Sequence, residues 1–169
     1  KYKSLYEDTM KVDEYKELIT KVLLVFSDVE YEIFRNITVL EKTRAVYVLK
    51  IESAHTIRMF SRVGKRIPLH CTAIGKIVLS DLDSQERDEI YKKILTENGT
   101  FKEYTKNTFI TEESLNEELK NVTKQGFAQD KEEHEEVITC IGAPIRDTSG
   151  HVIAAISVSY PCFRFPTER

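Results

Sequence analysis

No stretch of this chain stays apolar for long. Its hydrophobic runs reach no more than five residues, as in Val22-Leu23-Leu24-Val25-Phe26, against the about 20 that a membrane-spanning helix needs. A signal-peptide pattern is missing too, because Lys1–Lys11 is mixed and polar in character. Positive charge is not in excess: 25 Lys and Arg stand against 28 Asp and Glu, a net charge of −3, and no Lys/Arg cluster is interleaved with aromatics. Phosphate neutralisation dominates nucleic-acid affinity, so the chain by itself is poorly suited to bind DNA or RNA. Cysteine is scarce. Cys71, Cys140 and Cys162 are odd in number and widely spaced, which argues against a disulfide framework and a CxxC metal site and fits a reducing cytoplasm. Internal repeats and low-complexity tracts are absent, and the first residue is Lys1 rather than methionine, as in a piece cut from a longer protein.

What is present suits one folded domain. A chain of 169 residues buries roughly 70% of its unfolded surface, and 41% hydrophobic with 31% charged residues supplies a single core under a hydrated surface. Residues 1–11 read as a linker or a helix start. From Val12 the residues Val12, Tyr15, Ile19, Val22 and Phe26 recur at helical steps, giving an apolar stripe for core packing or for a partner helix. Glu30–Leu40 and Arg44–Ile51 are rich in β-branched and aromatic residues and form a hairpin about Glu41-Lys42-Thr43. A short strand is expected at Thr56–Phe60 and a turn at Gly64–Pro68.

Thr72 is placed to cap a short apolar helix running to Leu79. Ala73 and Gly75 are small where backbone must approach something closely, either a ligand at the helix N-terminus or a neighbouring element. Asp83-Ser84-Gln85-Glu86 is a capping box for a helix through Ile94 that ends near Asn98-Gly99. An extended tract over Tyr104–Ile110 leads to Thr111, the cap of a helix over Glu112–Lys124 with Leu115, Leu119 and Val122 facing inward. Gly126 then supplies a left-handed stop, with Phe127 as its hydrophobic contact. Val137–Ile145 and His151–Tyr160 are strands joined by the polar turn Arg146–Gly150. The order α β β β α α α β β predicts an α+β fold, a sheet with helices packed on it.

In the last strand Val152, Ala154, Ile156 and Val158 share a core face, and Ile153, Ala155, Ser157 and Ser159 share the other. That second face is either the partly polar floor of a small-molecule pocket or a water-facing side of an edge strand.

Other motifs carry less. Gly75-Lys76 is not a P-loop, because His70 stands at the upstream glycine position and Ile77 where Ser or Thr is required. The loop Asp130–Glu136 gathers carboxylates around His134. It offers a metal or acid–base site, or simply a solvated charge run, and Asp130 is its least surface-like member. Cys140 with His70 or His134 would make a nucleophile–base pair, but no orienting third residue is evident, and a cysteine between Ile138 and Ile141 suits a buried filler. His70 is expected to be structural. No cofactor is expected, although a metal in a cup where Cys71, Cys140, His70 and Asp130 converge stays open, since non-adjacent positions give no metal-ligand spacing.

Several of these segments together closely resemble the effector-binding domain of IclR-type bacterial transcription regulators. They are Arg58-Met59, Gly64–Lys76, Tyr104–Thr108, Gly126-Phe127 with Asp130, Glu132 and Glu133, Cys140–Ile145, Ala154–Ser159, and Pro161 with Arg164. The likeness runs from about residue 12 to the end. It implies a GAF-like α+β sensor, a curved antiparallel sheet flanked by helices that holds a small, carboxylate-bearing metabolite in a cup. It implies cytoplasmic homodimers or tetramers, and operator DNA bound only through an N-terminal winged helix-turn-helix outside this sequence. Carried over residue by residue, the effector contacts fall on Ala73 and Ile74 at the helix start, on Asp130, Ile138 and Cys140, and on Ser157 and Ser159, with Met59 and Ile67 as apolar wall. Four departures stand out: Val137 where the family has glycine, extra acids at Glu135 and Glu136, a bulkier Ile74, and Tyr160 for the glycine before Pro161. No enzymatic activity is implied. The rival readings are a thiol hydrolase using Cys140 and an oligomerisation module with no ligand.

Overall fold

Turn chemistry and strand alternation place the elements of this protein, seen in a computed structural model that describes residues 34–51 and 61–164. Strand β1 (Phe34–Glu41) and β2 (Arg44–Ile51) form the first hairpin, with Lys42 at φ 56° in the tight turn between them. β3 (Arg66–Pro68) pairs with the outer side of β2. Helices α1 (Ala73–Asp81), α2 (Ser84–Asn98) and α3 (Glu112–Gln125) follow, and then β4 (Ala128–Lys131), β5 (Ile138–Arg146) and β6 (Val152–Pro161). All six strands join one antiparallel sheet in the order β3-β2-β1-β6-β5-β4. The expected α+β class is what is found.

The caps explain where the helices begin and end. Thr72 Oγ1 accepts from Gly75 N at 3.1 Å and donates to Pro68 O at 2.7 Å, so one hydroxyl caps α1 and ties it to β3. At Asp83 both halves of the capping box form, and α2 runs on past Ile94 to a left-handed Gly99 at φ 76°. Thr111 caps α3, whose Leu115, Leu119 and Val122 are buried as the periodicity requires.

Helix α1 lies on one face of the sheet. A side chain at Gly142 of β5 would put a Cβ 3.2 Å from both the carbonyl carbon and the Cβ of Ala73, so only glycine lets strand and helix come this close. Ile74, Ile77 and Leu79 are buried there, each stabilising by roughly 1.5–3 kcal/mol. Gly75 has a similar constraint on its other side, because a methyl there would overlap the backbone carbonyl of Leu69.

Several expectations are corrected. Arg66–Pro68 is strand rather than turn; only Gly64, at φ 81°, serves the turn. β4 was not foreseen. Tyr104–Thr108 is a turn instead of extended chain, because Thr108 Oγ1 accepts from the amides of Tyr104 at 3.0 Å and Thr105 at 2.9 Å. Phe127 is 37% exposed, so it makes a poor hydrophobic stop. On β6 the expected core face is only partly buried, with Val152 and Ala154 inside but Ile156 and Val158 half-buried, whereas Ser157 and Ser159, 3% and 2% exposed, are fully inside because β6 is central in the sheet. The helix expected from Val12 and the strand expected at Thr56–Phe60 lie outside the described residues. Among the described residues no helix is long and apolar enough to cross a membrane.

The packing at Gly75 is directly testable. Gly75→Ala should lower unfolding free energy by about 3 kcal/mol or prevent folding, because the added methyl meets rigid backbone. A urea midpoint unchanged from wild type would show that α1 can shift away from Leu69.

Candidate functional site

Cross-strand register brings one polar row together on the α1-bearing face. Asp130 of β4 stands opposite Cys140 of β5, Cys140 opposite Ser159 of β6, and Ser157 opposite Gly142. Residues paired in this way point to the same side of the sheet. The start of α1 roofs the row, and a cavity of about 20 Å³ lies between, room for one or two waters. Its walls include Ala73 and Ile74 from the roof, Ile67 and Ile138 from the sides, and Asp130, Cys140, Ser157 and Ser159 from the floor. Every expected contact residue is therefore brought together except Met59, which lies outside the described residues. The sequence reading did not foresee Tyr47, Ser61, Lys65, Thr72, His134 and Glu135, which also line the cavity.

The groups in the cavity are chemically distinct. At the helix start, Gly75 N is taken by Thr72 Oγ1 and Lys76 N by Thr72 O. The amides of Ala73 and Ile74 precede the first intrahelical bonds and lie where the helix carries partial positive charge. Cys140 Sγ donates to Ser159 Oγ at 3.1 Å, leaving the serine hydroxyl its own proton to give. Burial pushes the Cys140 thiol up, away from the thiolate that a nucleophile needs. Burial also raises the Asp130 carboxyl to about 7, even though its Oδ1 accepts from Glu133 N at 2.8 Å. His134, on the wall beside the Tyr104 ring at 4.9 Å, is held below the usual imidazole range by burial.

The acidic loop is not a solvated charge run. Lys76 is fully buried, with Nζ 2.7 Å from Glu133 Oε1 and 3.3 Å from Glu118 Oε1, and it sits 5.1 Å from the centre of the Phe109 ring. Glu133 is 4% exposed and is held at its backbone as well: Thr108 Oγ1 donates to its carbonyl at 2.7 Å, and Thr105 Oγ1 donates to Glu132 O at 2.6 Å. Glu132 Oε2 accepts from Val137 N at 2.7 Å and closes the loop. Val137 takes φ 67°, a conformation that costs a β-branched residue strain and that a glycine adopts freely. A signal for Lys76 existed in the sequence: α1 is so short and so apolar around it that its lysine cannot reach water and must find a carboxylate.

Other candidates fall elsewhere. His70 stacks on Phe101 at 5.1 Å with Nε2 3.0 Å from Lys102 O, a structural role as expected. Cys71 is buried and, like His70, does not line the cavity. Among the described residues, no three His, Cys, Asp or Glu side chains converge to hold a metal ion.

With this sheet, this roofed cavity and this polar floor, the chain belongs to the family described as the bacterial transcriptional regulator IclR C-terminal domain, which matches residues 26–169. Among known relatives it is similar to the HTH-type transcriptional regulator KdgR of Escherichia coli strain K12, at 44% identity over 130 residues, 77% of this chain and 48% of that protein. The chain thus spans about half the length of the curated relatives it matches. The crystal structure of the C-terminal domain of E. coli KdgR superposes with a TM-score of 0.68 at 35% identity, covering 85% of this chain and 78% of that one. An IclR homologue from Microbacterium hydrocarbonoxydans, solved in complex with 4-hydroxybenzoate, superposes with a TM-score of 0.70 at 25% identity, over 82% of this chain and 54% of that one.

Two outcomes follow from the buried charges. Lys76→Met strands the Glu133 carboxylate and should cost about 3–5 kcal/mol, with much of that recovered in Lys76→Met/Glu133→Gln, as read from urea unfolding. Asp130 has an ordinary pKa of 3.8 and a folded value of about 7, so between those values the folded protein keeps a proton that the unfolded chain gives up. Stability should therefore fall as pH rises from about 4 to about 7, and Asp130→Asn should flatten that slope. Identical slopes of melting temperature against pH in the two proteins would assign the dependence to other groups.

Proposed function

We propose that this chain is the effector-sensing domain of an IclR-type transcriptional regulator, with residues 12–169 as the sensor and residues 1–11 leading in from an N-terminal winged helix-turn-helix. The effector is a small carboxylate-bearing metabolite. The observation that carries this reading is the convergence, in one cavity, of Ala73 and Ile74, the first two residues of α1, with Ser157 and Ser159. Helix N-termini favour anions, and both hydroxyls sit on the strand directly beneath. Asp130 accepts from a hydroxyl or a bridging water. Family membership supports the reading, and so does a relative that holds 4-hydroxybenzoate, itself a carboxylate with a hydroxyl.

The cavity is tight, about 20 Å³, so any but the smallest effector binds only where its walls spread. That is the useful property for a sensor: the ligand prefers an opened form and shifts the population toward it. In a cytoplasmic homodimer or tetramer the shift would alter the spacing of the attached DNA-binding domains, and with it operator affinity. The domain's own charge of −3 fits a division of labour in which DNA is gripped elsewhere in the whole protein. No catalytic step is needed, and the relatives are regulators.

The test is a thermal-shift panel of small aliphatic, hydroxylated, keto and aromatic acids on wild type and Ser157→Leu. An effector at ~100 times its dissociation constant adds about 2.7 kcal/mol, a melting shift of several degrees. That shift should vanish in Ser157→Leu. Should no acid stabilise the wild type while Ser157→Leu alters stability alone, the domain would be an oligomerisation module.

A further inference from the structure

Beside the cup lie buried polar atoms with no hydrogen-bond partner among the described residues. Asn36 is 1% exposed and Thr38 0% exposed, yet Asn36 Oδ1, Asn36 Nδ2 and Thr38 Oγ1 have no hydrogen-bond partner among the described residues. Ser61 Oγ, on the cavity wall, is buried and unpartnered as well. These atoms are not scattered. Asn36 and Thr38 are alternate residues of β1 and so share a face. Thr38 lies between Tyr47 of β2 and Ala155 of β6, and Asn36 lies opposite Ser157. Tyr47 and Ser157 both line the cavity, so the two β1 side chains are buried on the strand between two of its lining strands, just behind the cavity surface rather than on it. Ser61 is brought to the same end by Lys50, the cross-strand partner of Asn36 on β2, whose Nζ donates to Ser61 O at 2.7 Å.

A buried donor or acceptor left unmet costs about 1–3 kcal/mol, and a valine or leucine on a strand would avoid that cost. Four such atoms on one patch, next to a cavity already furnished for a ligand, call for a ligand that meets them. All three side chains are neutral, and together they present a carboxamide and two hydroxyls, which match hydroxyl or carbonyl groups rather than a second anion. We infer that Asn36, Thr38 and Ser61 form a second polar subsite of the cup, one that reads hydroxyl or carbonyl groups on the body of the effector. This inference rests on the effector reading above for its carboxylate end. Asn36 lies one strand beyond Ser157, about 4.8 Å, on the side away from Asp130. The effector is then a hydroxylated acid long enough to bridge the β6 hydroxyls and the β1 amide, and plain aliphatic acids are poor ligands.

The experiment is calorimetric titration with three pairs of acids that differ chiefly in their hydroxyls: D-glycerate and propanoate, D-gluconate and hexanoate, D-galacturonate and cyclohexanecarboxylate. At least one hydroxylated member should bind wild type ten or more times tighter than its counterpart. Asn36→Leu and the near-isosteric Thr38→Val should each erase most of that preference while leaving the counterpart's affinity within about twofold. Both variants should melt no lower than wild type without ligand, because each removes an unmet polar group. A preferred ligand without hydroxyls, or a hydroxylated one indifferent to both variants, would overturn the subsite and leave the cup standing, its unmet atoms serving only a buried water. Binding of none of the six, with no other acid lost on Ser157→Leu, would overturn the effector reading along with it.

Discussion

The fully buried ammonium of Lys76 fixes more of this molecule than any other group. A cation of this kind cannot stay in a protein interior without an anion beside it, and the nearer of its two carboxylates, Glu133, belongs to a loop 57 positions away. The pair therefore fixes the loop to the helix. Once Glu133 is held, its amide reaches Asp130 and its carbonyl meets Thr108, so the cup's acidic wall is positioned from below while α1 positions the roof. Replacing such a pair by apolar residues often costs nothing in stability, so its value here lies in registration, one helix held to one loop in one geometry.

The cavity balances opposite electrostatic demands. Helix amides and Lys65 favour a negative charge, whereas Asp130 and Glu135 on the facing wall oppose it. Burial moderates the conflict, because a carboxyl with its pKa near neutrality is protonated much of the time and then repels nothing. The same burial keeps the Cys140 thiol intact and makes it a hydrogen-bond donor on the floor.

Much of this was legible in the residues. Thr72, Asp83, Thr111 and the glycines at 99 and 126 mark helix ends by local chemistry alone, and local chemistry survives into the fold. The alternation in β6 told which residues accompany Ser157 and Ser159, but not which face lies inside; that depends on β6 being flanked by β1 and β5, a long-range fact. Four-residue β4 has too little pattern to announce itself, and the Tyr104–Thr108 turn is held by a threonine side chain where a glycine or proline would have been noticed. Asn36 and Thr38 drew no notice within the hairpin, because polarity in a strand ordinarily means water. Val137 adopts a positive φ, which a β-branched residue gives no sign of in the sequence.

The order of the strands also governs how the domain comes into being. Asn36 and Ser157 are neighbours in the sheet and 121 positions apart in the chain. The β1–β2 and β5–β6 hairpins close over short turns within microseconds, whereas the β1–β6 seam waits on the loop entropy of nearly everything between. On a growing chain the two halves of the cup thus exist before they meet, and the floor is finished only when the last strand has emerged. A ligand that spans the seam is bound across one of the most distant strand pairings among the described residues, so occupancy reports a completed domain as well as a metabolite.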